Sequence, residues 1–174
     1  SGLSIDERTT ILFKAAEVMA KATTETIAVM SRDAGKTVAE ADPEVAEAID
    51  FARFYATTAQ NFGESTPLGT ILVVPPWNFP YAIPMGGVCA ALAAGNTVIL
   101  KPAPETVATA WEIVSHLWAG GVPQDVLQFL PMRDDENGKY LVTNPGIDGL
   151  ILTGSFDTAS LFTSWRPEIN LMAE

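Results

Sequence analysis

Two apolar runs of strand length, Thr70–Val74 and Thr97–Leu100, are the tightest constraint in this chain. Pro75-Pro76 stops the first run, because proline fixes φ and offers no N–H to a neighbouring strand. Between the runs lie a loop, Trp77-Asn78-Phe79-Pro80, and a small-residue helix expected over about Met85 to Ala94. Gly95-Asn96 closes that helix as a C-cap pair. The unit is strand, helix, strand, and a connection of this kind joins parallel neighbours. The Asn78 loop follows the C-terminal end of the first strand, and Lys101 follows that of the second. In an open parallel sheet, ligands bind at that edge.

The remaining chain extends the pattern. Asp6 or Ser4 is placed to cap a first helix, with Ile11, Leu12, Ala15, Val18 and Met19 at helical spacing. A second helix runs from about Glu25 to near Gly35. A third is expected after Asp42 with Pro43 in its first turn, carrying Val45, Ile49, Ala52, Phe54 and Tyr55. These stripes read as core packing. Gly63 to Pro67 is a polar break. Beyond Lys101, helices are expected over Glu105–Ala119, Glu136–Thr143 and Asp157–Trp165. They alternate with strands over Val126–Leu130, Ile147–Leu152 and Ile169–Met172. The fold class is therefore α/β: N-terminal helices, then a doubly wound, mostly parallel Rossmann-like sheet with right-handed crossovers.

Charge narrows the function. Lys and Arg number 10 against 21 Asp and Glu, a net charge of −11, which opposes a nucleic-acid backbone or an anionic membrane surface. No apolar run is long enough to span a bilayer, and the single cysteine permits no disulfide framework, so the expected compartment is cytoplasmic.

The residues themselves offer limited chemistry. A carboxamide such as Asn78 either stabilises its own turn or aims its N–H donors at a developing oxyanion. A lone Lys101 at a strand end is ordinarily solvated, and so is a lone Glu174. Cys89 lies on the small-residue helix with no neighbouring base in the sequence, and His116 lies on an amphipathic one. Both read as structural.

PWNFP followed by ALAAGNTVILKPA resembles the aldehyde dehydrogenase superfamily. DAGKTVAEADPEVAEAIDFARFYA is most similar to its pyrroline-5-carboxylate dehydrogenase branch, including the dehydrogenase half of bifunctional proline-utilisation enzymes. The resemblance implies a partial NAD(P)-binding domain over 1–174, helical over 1–62 and α/β over 69–174, with the catalytic domain and nucleophilic cysteine absent and the chain inactive alone. It implies that Asn78 is the oxyanion donor and that Glu174, in Leu-Met-Ala-Glu, is the general base. Pro76 and Trp77 then border the nicotinamide, Lys101 bonds the adenosine ribose, and Gly154-Ser155 approaches the pyrophosphate. Where that family usually has Glu three residues after the lysine, this chain has Pro104, and Glu105 stands one residue later. Met132, Asp134 and Ala159 replace residues that are commonly glycine. The implied cofactor is NAD, with NADP left open, and no metal. The implied reaction oxidises an aldehyde, glutamate semialdehyde, to glutamate in a homo-oligomer. The alternatives are a non-catalytic nucleotide-binding or scaffolding module, or a relative acting on another aldehyde or an acyl phosphate. The isolated chain is also expected to self-associate.

Overall fold

The first helix begins at Ser4, whose hydroxyl accepts the Glu7 N–H while the Glu7 carboxylate accepts the Ser4 N–H. This reciprocal cap satisfies two otherwise orphaned donors. It holds the Glu7 carboxyl below its ordinary value. The computed structural model describes residues 2–62 and 66–174; of the Gly63–Pro67 break, residues 63–65 lie outside the described residues.

Three helices lead: α1 (Ile5–Lys21), α2 (Thr23–Asp33) and α3 (Val38–Phe62). Then β1 (Thr70–Val74), α4 (Ala82–Ala93), β2 (Thr97–Leu100), α5 (Val107–Ala119), β3 (Leu127–Phe129), α6 (Glu136–Thr143), β4 (Gly149–Leu152), α7 (Phe156–Trp165) and β5 (Asn170–Ala173) follow. A short 3-10 turn, Pro104–Thr106, precedes α5. The sheet has 5 strands in the order β3-β2-β1-β4-β5. All four pairings are parallel, with Thr70 opposite Thr97 and Leu72 opposite Leu150.

Several element starts differ from expectation, β4 beginning at Gly149 rather than Ile147 and α5 at Val107 rather than Glu105, and the two largest differences have a cause in the fold. Pro43 lies inside α3, not in its first turn, and Asp42 does not cap it. The Thr37 N–H and hydroxyl both donate to the Glu40 carboxylate, at 2.9 and 2.7 Å, and so open the helix upstream. Helix α4 starts at Ala82 rather than Met85, so Pro84 falls in its first turn, where a missing N–H costs no helical bond.

The sheet's two faces are covered unequally. Ile71, Val73, Val98, Leu100 and Leu127 join the larger core with α1 to α5. Leu72, Val74, Leu150 and Leu152 face the smaller core under α6 and α7. Helix α4 is threaded between α3 and the sheet, which explains its small residues. A Cβ on Gly86 would meet the Phe51 ring at 3.3 Å, and one on Gly87 would meet Val73 at 3.1 Å. No described helix is long and apolar enough to cross a membrane.

Candidate active site and cofactor cleft

Parallel strands put all their C-terminal ends on one edge, and a cleft of about 750 Å³ opens there. Pro76 and Trp77 line it from the end of β1, Lys101 and Glu105 from beyond β2, and Gly154 and Ser155 from beyond β4. These are the six residues that the sequence nominated for a cofactor, brought together from three separate segments. Asn78 and Glu174 do not line the cleft, although each adjoins a wall of it.

Trp77 stands 60% exposed, held out by the prolines before it. Asn78 is also exposed, and its Oδ1 accepts the Phe79 N–H at 3.1 Å. The carboxamide oxygen thus serves the turn. Its two N–H donors have no protein partner among the described residues, so the turn role and a donor role are compatible in one side chain.

Lys101 is only 6% exposed. A buried ammonium requires a partner, and Asp134, from the loop before α6, pairs with it. The sequence showed Asp134 only as a departure from glycine; nothing in its spacing signals a pairing that closes through the fold. Glu105 lies exposed on the cleft rim in the 3-10 turn.

Ser155 caps α7, its hydroxyl accepting the Thr158 N–H at 3.2 Å. The N-terminus of α7 therefore faces the cleft, where its dipole favours an anion. The Gly154 N–H donates to the Glu174 carbonyl at 3.1 Å, and the Glu174 N–H donates to the Leu152 carbonyl at 3.0 Å. These two bonds fix the end of β5 beside the cleft's Gly154-Ser155 turn and leave the Glu174 side chain exposed. Glu174 and Cys89 are close enough to Tyr55 to add, after burial, to the rise of its hydroxyl above the ordinary value.

Cys89 is fully buried on α4, and burial pushes its thiol up to about 12. A thiol held protonated in an apolar core is a poor nucleophile. His116 is buried with Nδ1 2.9 Å from the Tyr81 hydroxyl, and burial lowers its pKa against the opposing pull of Glu112. Both side chains are buried, as a packing role expects. Among the described residues no group of three or more His, Cys, Asp or Glu is placed to hold a metal ion.

The donor set suits a dinucleotide: apolar strand ends and Trp77 for flat rings, a lysine for a sugar or phosphate, and a helix N-terminus for phosphate charge. Residues 1–164 match the Aldehyde dehydrogenase family.

The chain belongs to the aldehyde dehydrogenase family.

Membership of the aldehyde dehydrogenase family implies a nicotinamide cofactor. Bifunctional protein PutA of Escherichia coli (strain K12) is 41% identical over 158 residues, which are 89% of this chain and 12% of that protein. The 1-pyrroline-5-carboxylate dehydrogenase of Anoxybacillus flavithermus is 40% identical over 165 residues, 86% of this chain and 32% of that protein. The solved structure of Proline Utilization A from Corynebacterium freiburgense superposes with a TM-score of 0.94 at 46% identity, over 99% of this chain and 18% of that one. The chain thus spans well under half the length of each of these aldehyde dehydrogenase relatives.

Proposed function

We propose that the protein containing this chain oxidises an aldehyde to a carboxylic acid with a nicotinamide dinucleotide, and that residues 1–174 supply part of its NAD(P)-binding domain. The observation that carries this is the convergence of Trp77, Lys101, Gly154 and Ser155 on one cleft at the C-terminal sheet edge. The substrate we favour is glutamate semialdehyde, the open form of 1-pyrroline-5-carboxylate, giving glutamate in proline breakdown. Support comes from relatives named for proline utilisation and 1-pyrroline-5-carboxylate. We favour NAD over NADP because, beyond the paired Lys101 and Asp134, the carboxylates of Glu105, Asp135 and Glu136 outnumber Lys139 on the cleft and oppose an additional phosphate.

A nicotinamide dinucleotide held here would supply the hydride acceptor. Trp77 and Pro76 would hold its ring, Lys101 its sugar end, and the α7 N-terminus with Ser155 its phosphate charge. The Asn78 amide donates to the oxyanion that forms when a nucleophile adds to the aldehyde carbon, and such a donor supplies ~3–4 kcal/mol of barrier. Glu174 takes a proton from the water that releases the acid. Cys89, buried with its thiol raised to about 12, is poorly placed to be the nucleophile, and the family resemblance assigns that role to a different cysteine thiolate of the enzyme. We place the protein in the cytoplasm as a homo-oligomer.

The Lys101–Asp134 pair favours a second reading, in which the lysine is engaged internally and the chain is a nucleotide-binding or scaffolding module. Titrating the full-length protein with NAD+ and then with glutamate semialdehyde separates the two. NADH formation supports the enzyme. Binding without turnover supports a nucleotide-binding module, and no binding at all refutes the enzyme and supports a scaffold.

A further inference from the structure

Glu44, on α3, is 2% exposed. A carboxylate taken that far from water must be paired and hydrogen-bonded. Its Oε1 accepts the Tyr81 N–H at 2.8 Å and the Ala82 N–H at 3.2 Å. Its Oε2 pairs with Lys36. The Lys36 ammonium also lies 4.2 Å from the centroid of the Phe79 ring, within range of a cation–π attraction. Helix α4 has no side-chain cap of its own, since its N-cap residue is Tyr81. A carboxylate from a remote helix fills that place and meets the positive end of the α4 dipole.

One acid–base pair therefore grips the chain immediately after Asn78: Lys36 on Phe79, and Glu44 on Tyr81 and Ala82. The Tyr81 ring is fully buried, and its hydroxyl is tied to His116 at 2.9 Å. The segment following Asn78 is thus anchored to α2–α3, α4 and α5 at once. Asn78 itself makes only the turn bond to Phe79, so where its amide points depends on where that segment is held.

We infer that Glu44, backed by Lys36, is a positioning residue for the Asn78 amide. This rests on the proposed oxyanion role of Asn78. Glu44 touches no substrate; it fixes the loop from which the donor projects. Misplacement of a reacting group by about an ångström costs on the order of a hundredfold in rate, whereas cofactor contacts further along the cleft are spared.

The test is a double-mutant cycle in the full-length enzyme, with kcat, both KM values and thermal midpoint measured for each variant. Glu44→Ala leaves two N–H groups and Lys36 unsatisfied, and kcat is expected to fall about tenfold or more with KM for NAD+ within about twofold. Glu44→Gln keeps an acceptor oxygen without the charge and is expected to recover part of that loss. In an Asn78→Ala background, Glu44→Ala is expected to cost less than about twofold further, because the donor it aims is gone. Should Glu44→Ala fail to fold, Glu44→Gln and Lys36→Met carry the same cycle. An equal loss of kcat in both backgrounds, or full kcat in a folded Glu44→Ala or Lys36→Met protein, overturns the inference. Full kcat in Asn78→Ala alone overturns the oxyanion reading instead, and with it this inference.

Discussion

The two edges of the sheet are built in opposite ways. At the N-terminal edge, polar groups are consumed internally. The Gly69 N–H donates to Asn96 Oδ1 at 3.1 Å, the Thr70 N–H to Asp148 Oδ2 at 2.8 Å, and the Thr97 hydroxyl to the Gly69 carbonyl at 3.3 Å. The edge is a knot of side chains serving backbone. At the C-terminal edge, Trp77, Asn78, Gly154 and Ser155 are exposed, and a cleft opens between their loops. Strand direction creates both edges, but the wider cleft, about 750 Å³ against about 280 Å³ for the pocket beside Thr70 and Thr97, opens at the C-terminal one. Binding at the open edge should therefore be separable from the stability that the closed edge contributes.

The sharpest way to break this contrast is Asn78→Ala in the full-length enzyme. It should lower kcat by about 10²–10³-fold, as loss of an oxyanion donor does, with the thermal midpoint unmoved. Steady-state kinetics beside a melting curve decides it, and a stability loss with unchanged kcat makes Asn78 a turn residue only.

Lys101→Ala comes next. Removing a charged hydrogen-bond donor should weaken NAD+ binding roughly 10–100-fold and leave KM for the aldehyde nearly fixed. Calorimetric titration measures the first, kinetics the second. An effect confined to the aldehyde would refute the assignment.

Gly69→Ala probes the closed edge. Gly69 has φ 129°, and a Cβ there would lie 2.1 Å from Asp148 Oδ2. Strain of about 1–3 kcal/mol is expected, together with loss of the Thr70 contact. Urea unfolding should show it, while activity per folded molecule should not change.

The smallest effect concerns Cys89. With its thiol raised to about 12, the folded chain presents almost no thiolate at pH 8. Iodoacetamide should label Cys89 only after unfolding, as read by mass spectrometry, and Cys89→Ala should leave kcat within about twofold. Rapid labelling of the native protein would place the thiol in a different environment.

Local patterns made most of the fold legible. The double proline, the Gly95-Asn96 pair and the alternation of apolar runs with helical stripes depend on near neighbours, and the strands and helices lie where those signals put them. The misplaced starts have remote causes. Pro43 suggested a helix start by its own geometry, yet Thr37 and Glu40 open α3 upstream. Helix α4 begins early because Glu44, far away in the chain, accepts its first N–H groups. The same holds at the cleft. Trp77 and Ser155 were visible through the resemblance to aldehyde dehydrogenases, and Lys101 also because it follows a strand whose C-terminal end meets the others in a parallel sheet. Asp134 was visible only as an anomaly, since its pairing with Lys101 exists in three dimensions alone. Glu44 carries no signal of its own in the sequence; burial, which no spacing encodes, sets it apart.

Amide hydrogen exchange in the full-length protein, with and without saturating NAD+, tests the central claim most directly, because it reads both edges in one experiment. The contrast between edges predicts slower exchange at residues 77–79, 101–106 and 153–158, with residues 69–70, 96–97 and 148–149 unchanged. Protection concentrated at the second set, or absent from the first at saturation, would contradict it.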